Sequence, residues 1–299
     1  MVTGKPRVTI LVNYLNGSKF LPSLLESIGR QTFRDFETLI IDNASVVPVT
    51  QELAQQSQIA IVKVVRLEKT LRLYEARNLA CKDISTEFIA FHDVDDIWAP
   101  QKLKSQMDFL AKREDIDLVF TGFRPFSSLT AEPRLSNSNS IRAQTLSLEE
   151  LARSYSVPMS SLLVRTSALK DLGGFRADYE IIGDFDLTMR AAEVGKVAKL
   201  HKRLTGVRIH KGSTGSLKRS MQVDEMRDWE STTGPQLNSW NSWKAHYQDE
   251  IEFVRLISGL QSGITKPSTK HLLGLSSQRR RLAYLRFLIG SRRPKGTDL

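Results

Sequence analysis

Short apolar runs alternate with amphipathic segments over the first 120 or so residues. Runs rich in β-branched and aromatic residues predict strands at residues 7–12, 36–42, 60–65 and 87–93. Between these runs, apolar residues recur at helical spacing, as at Phe20, Leu24 and Ile28. Strands that alternate with helices are typical of βαβ units. The pattern therefore predicts an α/β fold with a mixed, mainly parallel sheet flanked by helices.

The pattern loosens after Phe123. Residues 124–144 are rich in Ser, Asn and Pro, and indicate a long loop. Strand character returns at 159–165, and a helix is expected over "GDFDLTMRAAEVG", with two short strands at 197–201 and 204–210. From about residue 220 the composition changes to Trp, Gln, Asn and Lys, with helical spacing. We expect a helical segment there.

The net charge of +10 is concentrated at the C-terminus, where residues 260–299 hold nine Lys or Arg and one acidic residue. The nearly even charge of the remaining chain argues against a nucleic-acid-binding protein. The segment "HLLGLSSQRRRLAYLRFLIG" is basic and amphipathic, which favours peripheral contact with an anionic membrane. A helix packed on the rest of the chain is the alternative.

The N-terminus does not resemble a secretory signal, and no run of about 18 apolar residues predicts a membrane span. We expect a cytoplasmic protein, peripheral at the cytosolic face of the inner membrane. Cys81 is the single cysteine and lies in a predicted helix. It is expected to be a small core residue.

Carboxylates gather where the fourth predicted strand ends, in the stretch "FIAFHDVDDIWAP". Asp93, Asp95 and Asp96 repel one another unless a cation or hydrogen bonds offset the charge. Mg²⁺ or Mn²⁺ prefers such ligands and leaves positions open for phosphates. The alternative is a capped turn, and for Asp96 capping and metal binding remain equally open. Asn13 and Asp42 end neighbouring strands, so they should meet Asp93 at one sheet edge.

Five segments follow one another within residues 7–215. They are "VTILVNYLNGSKFLPSLLESIGRQTFRDFETLIIDNAS", "RLYEARNLA", "FIAFHDVDDIWAPQKLKSQ", "GGFRADYEIIGDFDLTMRAA" and "VRIHKGS". Together they resemble glycosyltransferase family 2, whose Rossmann-like GT-A fold binds nucleotide-diphosphate sugars. The resemblance implies a catalytic domain at 1–219, with a nucleotide-binding half at about 1–122 and an acceptor half at about 123–219. Residues 220–299 would be a helical, basic extension.

The resemblance also implies roles for residues at the predicted sheet edge. Asp42 would accept a hydrogen bond from a uracil-type base, with Asn13 beneath it; the alternative is that Asp42 shapes a turn. The family often has an aromatic residue where this chain has Leu15, and Tyr14 would substitute for it. Arg77 would bind the diphosphate or hold the acidic cluster, or else be a surface arginine paired with Glu75 or Asp83.

The remaining roles concern the metal and the base. Asp93 and Asp95 match the family's D-x-D pair, with Asp95 as the main Mn²⁺ or Mg²⁺ ligand and His210 reaching back to the metal or diphosphate. Asp184 would be the catalytic base and Asp186 a supporting carboxylate, although Gly183 stands where the family usually has an acidic residue. Asp184 lies at a helix start, so we expect it to stay ionised at neutral pH.

The resemblance implies an inverting, metal-assisted transfer from a nucleotide sugar, expected to be UDP-linked, to a hydroxyl. The acceptor would be a glycan or a lipid-linked sugar used in surface polysaccharide synthesis. The alternative is a non-catalytic module that keeps the fold and docks to a glycan or a membrane.

Overall fold

The structure is a computed structural model of the 299-residue chain. It describes residues 5–55, 59–127, 131–136, 142–153, 155–210, 218–265 and 268. The chain divides into two compact units, residues 1–213 and 214–299. The sequence analysis places this boundary between residues 219 and 220. Each unit is described separately below.

The first unit contains one sheet, to which the described residues contribute nine strands. The strands are β1 (Val8–Tyr14), β2 (Phe36–Asp42), β3 (Val62–Arg66), β4 (Phe88–Asp93), β5 (Ile97–Trp98), β6 (Leu118–Phe126), β7 (Ala143–Thr145), β8 (Leu162–Arg165) and β9 (Val197–Arg208). Their order is β3-β2-β1-β4-β8-β6-β9-β5, and β7 pairs with β9. Strand order and sequence order differ because helices carry the chain across the sheet.

The helices of this unit connect the strands. They are α1 (Leu21–Gly29), α2 (Gln51–Gln55), α3 (Leu73–Lys82), α4 (Lys102–Leu110), α5 (Leu148–Arg153), α6 (Thr166–Asp171) and α7 (Gly183–Glu193). In α1 the residues Leu21, Leu24, Leu25 and Ile28 form one apolar face and are buried. That face packs with Val8, Ile10 and Val12 of β1 in the main core cluster. The helical spacing in the sequence thus has its origin in a single buried stripe.

The sheet is mixed, as predicted: one end is entirely parallel, and the other combines antiparallel pairs with the parallel pair β6–β9. Strands β1 to β4 pair in parallel, which is the expected βαβ arrangement. Strand β8 then pairs antiparallel with both β4 and β6. Two predicted strands at 197–201 and 204–210 form the single strand β9, whose pairing with β6 is shifted at Gly122. The predicted strand at 159–165 begins with a 3₁₀ turn, Met159–Ser161.

The second unit contains α8 (Arg219–Thr232), a 3₁₀ turn (Gly234–Gln236) and α9 (Trp240–Gln261). Its core is aromatic: the rings of Trp229, Trp240, Trp243 and Tyr247 contact one another with centroids 4.7–6.1 Å apart. All four side chains are buried. The three tryptophans therefore stabilise this unit by packing.

Among the described residues, no helix is long and apolar enough to cross a membrane. The predicted basic amphipathic segment at residues 271–290 lies outside the described residues. Cys81 is buried, and burial raises the pKa of its thiol to about 12. The expectation of a small, unreactive core residue matches this environment.

One turn at the sheet edge carries backbone strain. Ala44, two residues after the end of β2, has φ of 56°, in the left-handed region that side chains with a Cβ disfavour. Its N–H donates to the carbonyl of Asp42 at 2.8 Å, so the turn depends on this conformation. Glycine reaches the same backbone angles without a steric cost.

Ala44→Gly should therefore stabilise the protein by about 1 kcal/mol, because it removes the left-handed penalty. The matched control is Ala111→Gly at the exposed end of α4, where φ is −61° and alanine fits. That control should lose about 0.5–1 kcal/mol. Chemical denaturation of both variants measures the two changes, and equal signs would contradict the assignment of strain to Ala44.

Candidate active site

Polar side chains from three strand ends meet at one edge of the sheet. In the parallel register Asn13 of β1 is opposite Asp93 of β4, and Tyr14 is opposite Asp42 of β2. The turn after β4 also packs on the turn after β1, since a Cβ on Gly17 would lie 2.6 Å from a methyl carbon of Val94. The predicted convergence of strand ends is present in the structure.

Asp93 forms an ion pair with Arg77 of α3. Arg77 is 3% exposed, so it is not a surface arginine, and its partner is neither Glu75 nor Asp83. Burial raises the pKa of Asp93, while the Arg77 guanidinium opposes that shift and the nearby Asp95 adds to it. Of the predicted roles, the structure favours the one in which Arg77 holds the acidic cluster. The positive charge that balances Asp93 is therefore the guanidinium of Arg77.

Asp95 pairs with His210, whose Nε2 lies 2.9 Å from Asp95 Oδ2. Both side chains keep about a fifth of their surface exposed. Neighbouring ligands of an octahedral Mg²⁺ or Mn²⁺ are about 3 Å apart, since each is about 2.1 Å from the metal. The pair therefore fits two adjacent positions of one cation. Among the described residues no group of three His, Cys, Asp or Glu side chains is arranged to hold a metal.

Asp96 has a structural role that neither sequence alternative anticipated. Its Oδ1 accepts a hydrogen bond from the backbone N–H of Arg208 at 2.9 Å, and its carboxylate also bonds the Ser160 hydroxyl. Helix α4 begins after Gln101 without a side-chain cap, so Asp96 does not cap it. At 3% exposure it binds the end of β9 to the acidic turn. Burial raises its pKa well above the usual range.

Three stacked side chains lie beneath the acidic turn. The ring of Trp98 stacks on His92 with centroids 4.2 Å apart, and Lys102 Nζ lies 4.0 Å from the Trp98 ring centroid. Burial lowers the pKa of His92 to about 3 and that of Lys102 well below its usual value. The Trp98 indole N–H donates to the Ser160 carbonyl at 2.7 Å. The stack therefore supports the turn that carries the carboxylates.

Asp184 lies in the first turn of α7, and its Oδ1 accepts the N–H of Phe185 at 2.7 Å. Desolvation raises its pKa to about 7, and the charge of Asp93 adds to this, while the Phe185 bond and Arg77 oppose it. The expectation of a carboxylate that is always ionised at neutral pH is therefore wrong. The helix N-terminus does not offset the loss of water. The charges of Arg77 and Asp93 affect the pKa of Asp184, so Asp184 belongs to the same site.

Asp186 does not support the base. Its carboxylate is fully buried, and Arg190 donates to Oδ2 from Nε at 3.0 Å and from Nη2 at 2.7 Å. Arg190 also donates to the carbonyls of Leu172 and Gly174. Asp186 thus anchors α7 to the turn after α6, and the prediction of a catalytic carboxylate is corrected to a structural one.

Two residues predicted to contact a base are buried by protein. Tyr14 is 1% exposed within the core cluster, and its hydroxyl donates to the Val47 carbonyl at 3.0 Å. Its ring cannot stack on a ligand, whereas Leu15 is 42% exposed. Asp42 is fully buried and accepts hydrogen bonds from Ser45, Val49 and Arg66. The structure favours its turn-shaping role over direct contact with a base.

Asn13 is the residue at this edge with unused hydrogen-bonding capacity. Its Oδ1 is buried and has no hydrogen-bond partner among the described residues. Asn16 joins the two turns beside it, accepting the N–H of Val46 at 2.8 Å and donating its own to Ser45 Oγ at 3.0 Å. An unsatisfied buried acceptor is costly unless a ligand supplies a donor.

Comparison with known proteins identifies the family. The model of Glycosyl transferase family 2 matches residues 9–173, which is more than half of the chain. The chain belongs to glycosyltransferase family 2. The match includes the strand ends at Asn13, Asp42 and Asp93, and it ends before Asp184.

Individual family members share modest identity with the chain. The uncharacterized glycosyltransferase YwdF of Bacillus subtilis is 30% identical over 198 residues, which cover 65% of this chain and 71% of YwdF. The glucosyltransferase WfgD of Escherichia coli, named for UDP-Glc and a diphosphoundecaprenol-linked GlcNAc, is 31% identical over 105 residues, covering 35% and 41%. The chain spans less than two thirds of the length of several curated relatives, 41% in one from Methanocaldococcus jannaschii.

Among solved structures, TarS of Staphylococcus aureus (residues 1–349) in complex with UDP-GlcNAc is similar, with a TM-score of 0.64 at 20% identity. The match covers 94% of this chain and 80% of that one. The likeness confirms the predicted fold, a mixed sheet flanked by helices as in GT-A enzymes.

Sequence reasoning missed three residues of this family 2 site. Ser160 joins Asp96 to the N–H of Asp93, and Arg208 Nε donates to the Asp95 carbonyl at 2.8 Å. The Tyr74 hydroxyl accepts the N–H of Asp184 at 3.1 Å. Arg208 and Tyr74 lie within two of the quoted segments, yet their partners are over 100 residues away. Their residue types alone carry no signal of that pairing.

Asp184→Asn should stabilise the protein, because the neutral amide avoids the cost of a desolvated charge. Between pH of about 4 and 7 the folded wild type keeps a proton that the unfolded chain releases, so its stability falls as pH rises. The variant should gain roughly 1–3 kcal/mol at pH 8 and little at pH 4. Denaturant titrations at several pH values measure the difference.

Asp186→Asn is the matched control for that experiment. It leaves Arg190, whose side chain is one fifth exposed, without its counter-charge and should lose roughly 2–3 kcal/mol at pH 8. If Asp184→Asn also loses stability at pH 8, the carboxylate of Asp184 is not desolvated as described.

Proposed function

We propose that the chain is an inverting glycosyltransferase that moves a sugar from a nucleotide-diphosphate sugar, UDP-linked, to an acceptor hydroxyl. One observation carries the proposal: Asp184 and the Asp95–His210 pair belong to one cluster. The Asp95–His210 pair is accessible. Asp184 is desolvated, and its pKa depends on the charges of Arg77 and Asp93, which form an ion pair close to Asp95. This arrangement would hold a divalent cation and place a general base at one sheet edge. Membership of glycosyltransferase family 2 supports the reaction type.

The donor nucleotide is proposed to bind at the ends of β1 and β2. The exposed apolar side chains of Leu15, Val46 and Val47 lie on the two turns that Asn16 joins. They offer a surface for a base, and the Asn13 amide oxygen accepts from its N–H or from a ribose hydroxyl. UDP is favoured because WfgD and TarS are described with UDP-sugars.

Asp95 and His210 are proposed to hold Mn²⁺ or Mg²⁺. When bound, the cation neutralises negative charge on the departing nucleoside diphosphate. Asp93 stays with Arg77, so it is removed from the predicted metal ligands. Arg77 instead keeps the turn in the shape that presents Asp95. His210 also contacts Phe20, with ring centroids 5.0 Å apart, which fixes its ring beside the carboxylate.

Asp184 is proposed as the base that takes the proton of the attacking hydroxyl. A carboxylate whose pKa is about 7 is a stronger base, once ionised, than an ordinary aspartate. Attack from the face opposite the leaving group displaces the diphosphate directly and inverts the anomeric centre. The raised pKa supplies the basicity that this proton transfer needs.

The acceptor is proposed to be a glycan or lipid-linked sugar of a cell-surface polysaccharide. The diphosphoundecaprenol-linked substrate in the name of WfgD supports this class. The competing function, a non-catalytic docking module, gives no reason to keep a desolvated Asp184 beside the acidic turn. Calorimetric titration with UDP and Mn²⁺ separates the two, since a docking module would give no heat.

Asp95→Ala should lower sugar transfer roughly 100-fold or more, because the diphosphate loses its counter-charge. The measurement is metal-dependent hydrolysis of a panel of nucleotide sugars, followed by transfer to a lipid-linked acceptor. Asp108→Ala, which breaks an exposed pair with Lys104 on α4, is the control and should keep full activity. Wild-type rates in the Asp95 variant would remove its proposed role.

The basic segment within residues 260–299 is proposed to bind the cytosolic face of an anionic membrane. The full chain should then sediment with phosphatidylglycerol vesicles and not with phosphatidylcholine vesicles. The reason is charge, since residues 260–299 hold nine Lys or Arg and one acidic residue. Binding should weaken as salt rises. Equal binding to both vesicles, or to neither, would contradict this interpretation.

A further inference from the structure

The ring of Tyr74 fills the space that a side chain at Gly183 would need. An ideal Cβ on Gly183 would lie 2.5 Å from Tyr74 Cε2 and 2.6 Å from two further ring carbons. Carbon atoms do not approach so closely, and the Tyr74 ring is 2% exposed and cannot swing aside. Position 183 can therefore hold only glycine while tyrosine is at position 74. This is also the position where the family resemblance leads one to expect an acidic residue before the base.

The hydroxyl of Tyr74 contacts the turn that carries the base. The N–H of Asp184 donates to Tyr74 Oη at 3.1 Å, and the Ile181 carbonyl lies 3.5 Å from the same oxygen. The first N–H groups of a helix have no partner within the helix, and α7 has no side-chain cap at Ile182. A tyrosine from α3 thus supplies the acceptor that a capping residue would otherwise provide.

The ring of Tyr74 also connects this turn to the acidic cluster. The guanidinium carbon of Arg77 lies 5.1 Å from the ring centroid, and the Phe175 ring is 5.1 Å away on centroids. Tyr74 and Arg77 are three residues apart on α3, so they share one helical face. Arg77 in turn pairs with Asp93. One side chain therefore contacts the turn of Asp184 and the arginine that holds the acidic turn.

We propose that Tyr74 is a positioning residue for Asp184, matched to Gly183: its ring fills the space beside the glycine, and its hydroxyl fixes the first turn of α7. The inference rests on the proposed transferase function, in which Asp184 must meet an acceptor hydroxyl at a defined distance. A displacement of about 1 Å can lower a rate about 100-fold. The charged or titratable groups that face Asp184 are Arg77, Asp93, Tyr74 and Tyr155.

The first test is Tyr74→Phe, which keeps the ring against Gly183 and removes the acceptor. We expect kcat to fall about 10- to 100-fold while KM for the nucleotide sugar stays unchanged. The wild-type kcat should rise with pH and level off near 7, the pKa of Asp184. In the variant this inflection should move down, because the N–H of Asp184 loses its tyrosine acceptor and is left to the Asp184 carboxylate, which it stabilises in the ionised form.

The matched control is Tyr247→Phe in the second unit, where a buried hydroxyl donates to the Met226 carbonyl at 3.2 Å. It should lose comparable stability and keep kcat and the pH profile. A wild-type kcat and pH profile in Tyr74→Phe would overturn the proposal. So would an equal fall of kcat in both variants, since that result indicates general destabilisation.

A second test does not need catalysis. Gly183→Ala should lower the melting temperature strongly, and adding Tyr74→Ala should recover part of the loss, since the alanine methyl then has space. Additive losses in this double-mutant cycle would overturn the matched pair. If the wild type transfers no sugar from any donor, the proposed function fails, while the cycle and the NMR-measured pKa of Asp184 in Tyr74→Phe still test the pairing.

Discussion

Three carboxylates on one turn must each find a different counterpart, and this constraint organises the edge of the sheet. Arg77 from α3 neutralises Asp93, His210 contacts Asp95, and the backbone of β9 with Ser160 satisfies Asp96. Each counterpart comes from a different segment. Uncompensated, such a cluster of like charges would be strongly unfavourable. The turn therefore gathers distant parts of the chain. Asp93 keeps exposed surface but is paired with Arg77, which leaves Asp95, about a fifth exposed beside His210, as the carboxylate for an external cation.

At this edge of the sheet, some features could be predicted from the sequence and others could not. Neighbouring parallel strands end at one edge, so the convergence of Asn13, Asp42 and Asp93 follows from strand order. The direction of the Tyr14 side chain does not follow from the sequence. Strand β1 is buried on both faces, so no alternation of apolar and polar residues shows which side chains point to which face. Tyr14 continues the apolar face of β1 beneath α1, whereas Asn13 is on the other face.

Long-range partners account for the other differences. The expectation for Asp184 used a local effect, the field of a helix N-terminus, which is worth about 0.3–1 kcal/mol. The rise of its pKa from 3.8 to about 7 corresponds to about 4 kcal/mol, so desolvation dominates. Asp184 and Asp186 have the same spacing as many paired carboxylates. However, Arg190, one helical turn after Asp186, forms an ion pair with it. A pattern of acidic residues shows where charge is and leaves open what surrounds it.

The buried Cys81 makes the chain convenient for labelling. It is the single cysteine of the sequence, and a thiol whose pKa is about 12 is almost entirely protonated at pH 8. Maleimide reagents should leave it unmodified in the native protein. A cysteine introduced at an exposed position such as Ser262 would then be the sole reactive thiol, and a fluorophore there would report on the C-terminal region without removal of the natural cysteine.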